Sequence, residues 1–165
     1  SEVNGNQIKI RLTQPRDLKL DMPLRLKGRM IRVHFINTGV PHTVIFVHGL
    51  DRMDVQELGR QIRTHKAFAP KGTNVNFVQV QDARTLQLRT YERGVEAETL
   101  ACGTGSVASA CIASLKYGSQ GNSILKVQTQ SKEVLKVYLR REDLHIEEVW
   151  LEGRARIICK GVCYV

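Results

Sequence analysis

Residues 101–118 read ACGTGSVASACIASLKYG, and the fold turns on how this stretch is understood. Residues 106–117 have helical character, and Gly118 follows as a stop signal. A surface helix keeps a polar face, but this one carries no charge before Lys116. It is therefore expected to be buried all round. Ala108, Ser109, Ala110, Ala113 and Ser114 are small enough to let strands approach closely. The reading thus demands strands on every side of one central helix.

The flanking sequence supplies them. Ile8, Ile10 and Leu12 alternate with polar residues, as do Leu18, Leu20, Met22, Leu24 and Leu26. Pro23 cannot donate to a ladder, so the second run belongs at an edge or in a connection. Ile31, Val33 and Phe35 begin a clearer strand, and TVIFV at 43–47 another, joined by the turn-like NTGVPH at 37–42. NVNFVQV at 74–80 and RTLQLRTY at 84–91 read as strands flanking a turn near Asp82. Leu135, Val137 and Leu139 alternate, then Leu144 and Ile146, then a terminal strand in ARIICKGVCYV at 155–165. One further helix is predicted over 54–65. Asp54 and Glu57 have capping-box spacing there, and Val55, Leu58 and Ile62 share a face. Many strands and two helices predict an α+β fold, with mainly antiparallel strands wrapped around a central buried helix. Regular βαβ winding would need more helices.

Composition narrows the function classes. Hydrophobic content of 42% and charged content of 25% are those of an ordinary globular protein. No apolar run approaches the ~20 residues of a membrane span. The net charge of +9 points to nucleic acid, an anionic ligand or an acidic partner, or simply to a solvated surface. The basic residues are dispersed, and aromatics, at 5%, do not interleave with them as a base-stacking platform requires. Neither nucleic acid nor membrane is expected as a partner. Cys102, Cys111, Cys159 and Cys163 lack zinc-site spacing, so no metal is expected. Cys159 and Cys163, four apart in the expected terminal strand, are too distant for a disulfide. A reduced, cytoplasmic protein follows.

Cys102 immediately precedes the helix, where unpaired N–H groups and the helix dipole favour negative charge. Its thiol is expected to ionise more readily than an ordinary one. Gly103 and Gly105 leave the backbone donors open, so a carboxylate can rest on residues 103–105. A thiolate beside a bound carboxylate is placed to lift a proton from the neighbouring carbon. Most isolated cysteines are inert packing, and Cys111, Cys159 and Cys163 keep that reading. Cys102 differs through its flanking glycines, the helix start and the upstream Glu92-Arg93-Gly94 turn. Those two charges suit a carboxylate or amine of a ligand, or form only a surface ion pair. His42 by itself reads as a turn histidine on a polar surface.

YERG at 91–94 with ETLACGTGSVASA at 98–110 closely resembles the second catalytic motif of the diaminopimelate epimerases. The likeness extends to NTGVPHTVIFV at 37–47 and VQELGRQIRTHKAFAPKGTNVNFVQV at 55–80. The resemblance implies two similar half-domains with the active site between them, no cofactor, and two cysteines acting on opposite faces of an amino acid. One thiolate removes the α-proton and the other thiol returns one from the far side. Cys102 corresponds to the cysteine of the C-terminal half. The resemblance further implies that Asn74, Glu92 and Arg93 contact the substrate, and that Gly103 and Thr104 bind its carboxylate. It assigns His42 and Glu92 to tuning the ionisation of the cysteines. Residues 29–165 would be the C-terminal half-domain and residues 1–28 the trailing segment of an N-terminal half. That half would carry the partner cysteine, leaving this chain inactive alone and the full protein a possible homodimer.

Two departures bear on specificity. Val40 stands where many members have a substrate-contacting Asn, and the loop between Gly94 and Glu98 is one residue longer than the commonest spacing. Interconversion of LL- and meso-diaminopimelate, a step in lysine and peptidoglycan synthesis, is the expected activity. A racemase of another amino acid, such as histidine, is the alternative on the same scaffold. A non-catalytic basic module binding nucleic acid is the alternative from another class.

Overall fold

The alternating segments assemble into an eleven-stranded sheet in the computed structural model, which describes residues 1–162. In chain order the strands are β1 (Glu2–Asn4), β2 (Gln7–Arg11), β3 (Arg16–Leu26), β4 (Arg29–Asn37) and β5 (Pro41–Phe46). There follow α1 (Val55–Arg63), β6 (Asn74–Asp82), β7 (Thr85–Glu92), β8 (Ala97–Thr99) and α2 (Gly103–Tyr117). The last are β9 (Gly121–Gln128), β10 (Val134–Glu142) and β11 (His145–Arg154). The sheet order is β1-β2-β11-β10-β9-β7-β6-β5-β4-β3, with β8 added beside β7. β3 takes the outer position that Pro23 requires.

The sheet is mixed. Most neighbours are antiparallel, but β5 runs parallel to β6 and β7 parallel to β9. A parallel pair needs a crossover, and the two helices supply the two crossovers: α1 joins β5 to β6, and α2 lies between β7 and β9. Both connections step the same way along the sheet, while β5 and β7 run in opposite directions. Right-handed crossovers then put the helices on opposite faces. The core divides accordingly. Val55 and Ile62 of α1 pack with Leu24, Val33, Val75, Phe77 and Tyr91. Val107, Cys111 and Ile112 of α2 pack with Val44, Val78, Leu88, Val127, Val137 and Leu139. Each such Val, Ile or Leu, once fully buried, contributes roughly 1.5–3 kcal/mol.

Helix α2 is buried on every face from Gly105 to Ser114, as its composition requires. It touches β4 to β7 and β9 to β11. It begins at Gly103, three residues before the expected start, because Cys102 itself serves as N-cap. In α1, Asp54 accepts from the Glu57 N–H at 2.9 Å. The capping box is only half formed, since the Glu57 carboxylate turns to Lys27 and Gln61. The helix stops at Arg63, short of the expected residue 65. His65 instead caps a short 3-10 turn, Lys66–Phe68, with Nδ1 accepting from the Ala67 N–H.

The strand expected over 155–165 does not form among its described residues. β11 ends at Arg154, and residues 155–162 have no regular secondary structure, with Ile157, Ile158 and Val162 exposed. After the Ala155 N–H donates to the Asn6 carbonyl, no partner strand lies alongside among the described residues. Alternation alone does not make a strand when no neighbour completes the ladder. Cys159 is exposed there, and Cys163 lies outside the described residues.

Candidate active site

Along β5, β6 and β7 the side chains facing α2 change from apolar to polar towards the helix start, with β5 offset by one pleat step so that Val44 lies opposite Asn76. Val44, Val78 and Leu88 belong to the apolar cluster around the helix. One pleat step further, the inward positions are His42, Asn76 and Thr90, all buried. These three form a hydrogen-bonded layer beneath the N-terminal end of α2. Asn76 Nδ2 lies 3.0 Å from His42 Nδ1 and 3.1 Å from the Thr43 carbonyl oxygen. The Thr90 hydroxyl donates to Asn76 Oδ1 at 3.1 Å. Such a network is tolerable in a core only because its members satisfy one another. His42 Nε2 is the exception: it has no partner among the described residues. His42 is thus a fully buried strand residue, and the surface-turn reading of it is overturned.

Cys102 sits directly above this layer. Its carbonyl accepts from the Ser106 N–H and hydroxyl, both at 2.9 Å, closing the first turn of α2. Its sulfur accepts from the Gly105 N–H at 3.4 Å and lies 3.6 Å from the Thr104 hydroxyl. A side chain at Gly105 would meet Asn76 Oδ1 at 2.5 Å and the Cys102 sulfur at 3.1 Å, so glycine is needed where helix, thiol and Asn76 converge. The Thr38 hydroxyl donates to the Thr104 carbonyl and fastens the helix start to the turn before β5.

The expected easy ionisation of Cys102 is corrected here. The residue is only 8% exposed, and burial pushes its thiol pKa up. Hydrogen bonds from Thr104 and Gly105 pull the other way, while the Glu92 charge adds to the upward push. Loss of hydration outweighs these hydrogen bonds, so the Cys102 sulfur holds its proton more tightly than an ordinary thiol. His42 shifts in the opposite sense for the same reason. Burial, helped by the nearby charge of Arg93, lowers its pKa to about 3, and the imidazole is neutral.

Asn74, Glu92 and Arg93 gather at the adjoining edge. Asn74 ties two loops together: its Nδ2 donates to the Pro41 carbonyl at 3.2 Å, and its Oδ1 accepts from the Arg93 N–H at 2.8 Å. The Arg93 guanidinium reaches the Lys71 carbonyl. Arg93, Lys71, Gly39 and Pro41 help line an open cleft of about 420 Å3. Glu92 accepts from the Thr99 hydroxyl at 2.9 Å, and Glu98 holds Arg89 through two bonds of 2.7 Å. The long loop between them is absorbed in a turn with Gly94 and Glu96 at positive φ, closed by the Glu96 N–H to the Glu92 carbonyl. Gly103 and Thr104 are half-buried in the first turn of α2, where backbone N–H groups have no partner within the helix. Cys102, His42 and the α2 start thus meet through Asn76 and Gly105, with Glu92 in electrostatic reach.

Sequence reasoning did not single out Asn76, Thr90, Thr38 or Thr99. Asn76 carried a signal, being a polar residue inside the apolar run of β6. Cys111 is fully buried and its thiol pKa is driven up by burial, in keeping with a packing role. No cluster of three or more potential metal ligands occurs among the described residues. No helix is long and apolar enough to cross a membrane among the described residues.

A family model described as diaminopimelate epimerase matches residues 34–158. The chain is similar to the diaminopimelate epimerase of Aquifex aeolicus, with 46% identity covering 96% of this chain and 55% of the relative. It is also similar to that of Hydrogenobaculum sp., with 41% identity covering 97% of this chain and 56% of the relative. The chain thus spans about half the length of the curated relatives it matches. Among solved structures, a hydroxyproline epimerase from Agrobacterium vitis matches with a TM-score of 0.71. The identity is 15%, over 90% of this chain and 50% of that one. A probable proline racemase from Agrobacterium radiobacter K84 matches at 0.69, with 13% identity over 90% and 51%. At such identities the likeness is one of fold.

Proposed function

The chain belongs to the diaminopimelate epimerase family, and on that premise we propose that it supplies one of two catalytic thiols for the cofactor-independent interconversion of LL- and meso-diaminopimelate. The observation that carries this reading is Cys102 at the N-terminus of α2, above a buried polar layer in an otherwise apolar interface. Removal of an α-proton leaves a planar carbanion, and inversion needs an acid and a base on opposite sides of it. A resting thiol at Cys102 suits the acid for one direction of the reaction. Once the proton is given up, the Gly105 N–H and Thr104 hydroxyl stabilise the thiolate that acts as base in the other.

The roles of the remaining residues belong to the same proposal. Gly103 and Thr104 hold the reacting carboxylate on the helix start. Asn74, Glu92 and Arg93 recognise the rest of the amino acid, and His42 and Glu92 set the ionisation of the thiols. The sheet curls about α2 as one half-domain, and it takes in β1 to β3 from the segment 1–28 that the resemblance would leave to the other half, since β2 pairs with β11, β3 with β4, and Leu24 packs with α1. That half brings the opposing thiol, since Cys111 is locked in the core. The protein is a cytoplasmic isomerase of lysine and peptidoglycan synthesis, assembling as a homodimer at full length.

The test is stereoinversion of LL-diaminopimelate by this chain alone and together with a complementary N-terminal half. Turnover only in the mixture is expected. Inversion by the chain alone, at the rate of the mixture, overturns the two-half part. Val40, at the site's turn, keeps a second reading open: turnover of another amino acid with none of diaminopimelate favours a racemase of that amino acid.

A further inference from the structure

Asn76 lies outside the residues that the motif assigns, yet its side chain touches both His42 and the turn that carries Cys102. Its orientation is fixed by chemistry. The Thr43 carbonyl only accepts, so the group facing it at 3.1 Å is the Asn76 NH2 and not its oxygen. The second hydrogen of that NH2 is then directed at His42 Nδ1, 3.0 Å away. An N–H cannot be aimed at another N–H, so Nδ1 presents its lone pair. In a neutral ring the proton must therefore sit on Nε2, the buried atom with no acceptor among the described residues. The other end of the amide accepts from Thr90 and abuts Gly105, against which the Cys102 sulfur also rests.

We propose that Asn76 is a positioning residue: it fixes His42 as the Nε2–H tautomer, so the imidazole meets the site as a hydrogen-bond donor, and it registers that donor to the Cys102 turn. The inference rests on the epimerase reading for its catalytic meaning, but not for its geometry. Its consequence is that His42 does not collect the Cys102 proton through Nδ1. That lone pair is engaged, and the ring's free edge has a hydrogen to give.

The experiment is long-range 15N–1H NMR of the 15N-labelled chain at neutral pH, without substrate. The expected spectrum gives His42 a pyridine-like Nδ1 and a pyrrole-like Nε2. Asn76→Asp, whose carboxylate accepts, should move the proton to Nδ1, and Asn76→Leu should leave a mixture of tautomers. In the complete enzyme Asn76→Asp should lower kcat by about 100-fold, with little change in KM. A wild-type His42 protonated at Nδ1 overturns the proposal, whether or not the variants fold. So does a tautomer that both substitutions leave unchanged. The tautomer is read with no reaction running, so it stands or falls separately from the epimerase reading.

Discussion

Two thiols share helix α2 and live in different chemical worlds. Cys111 is fully buried in the apolar cluster that holds Val44, Val78 and Leu88. Cys102 is nearly as buried, at 8% exposure, but it caps the helix above His42, Asn76 and Thr90. Burial raises the pKa of both. What separates them is the set of donors. The Cys102 sulfur has the Gly105 N–H and the Thr104 hydroxyl, whereas Cys111 has no comparable donor to stabilise a charge. A single pleat step along each of three strands, from Val44, Val78 and Leu88 to His42, Asn76 and Thr90, replaces apolar packing with a polar layer. The donors that can stabilise a charge on Cys102 belong to the first turn of α2, and Cys111 in mid-helix lies beyond their reach.

The sharpest way to break the comparison is to exchange the roles of the thiols. Cys102→Ser should lower epimerisation by at least about 10²-fold, the scale of a lost acid–base group, with an unchanged urea midpoint. Cys111→Ser should do the reverse. A hydroxyl placed in the apolar cluster without a new partner costs about 1–3 kcal/mol in urea unfolding, while activity per folded molecule persists. Equal losses of activity in the two variants would erase the distinction.

Gly105→Ala probes the contact between the layer and the helix. The new methyl group must displace Asn76 or the Cys102 sulfur, at a cost of about 1–3 kcal/mol of stability. Asn76→Ala in the same chain should recover part of that loss. Strict additivity in the double-mutant cycle would show that the two do not meet. Gly59→Ala is the control on the opposite face, where the added carbon collides with the Tyr91 side chain. It should destabilise to a similar extent while leaving the reactivity of Cys102 untouched, as read by thiol alkylation of the folded fraction.

Acid should weaken the polar layer selectively. His42 has a native pKa of about 3 against an ordinary 6.5, so between those values the unfolded chain binds the extra proton. Stability then rises with pH through that window and is lost as pH falls from about 6.5 towards 3. The urea midpoint should drop between pH 7 and about pH 4.5, and His42→Gln should flatten that drop. An identical slope in both proteins would mean that His42 does not titrate with unfolding.

Much of this arrangement was legible before any coordinates. The uncharged run 106–117 dictated a buried helix, Pro23 an edge strand or a connection, of which the structure has the edge strand, and Asp54 a helix start. The flanking glycines and the motif likeness drew attention to Cys102. What could not be read was what depends on partners distant in sequence. GNSILKVQ gave no clean alternation, yet β9 forms because β7 and β10 flank it. The tail after Arg154 reads as a strand, but among the described residues no neighbouring strand pairs with it. The direction of the Cys102 pKa shift depends on how much water the packed strands exclude, which no local pattern reports. Asn76 gains its meaning only when β5 and β7 put His42 and Thr90 beside it.

The most direct measurement is deuterium wash-in from D2O at the α-carbon of diaminopimelate, comparing the assembled wild-type enzyme with Cys102→Ser and Cys111→Ser. Rapid incorporation with inversion by wild type and Cys111→Ser, with no inverted deuterated product above background from Cys102→Ser, is the expected result. Undiminished formation of that product by Cys102→Ser would contradict the assignment of proton transfer to this sulfur.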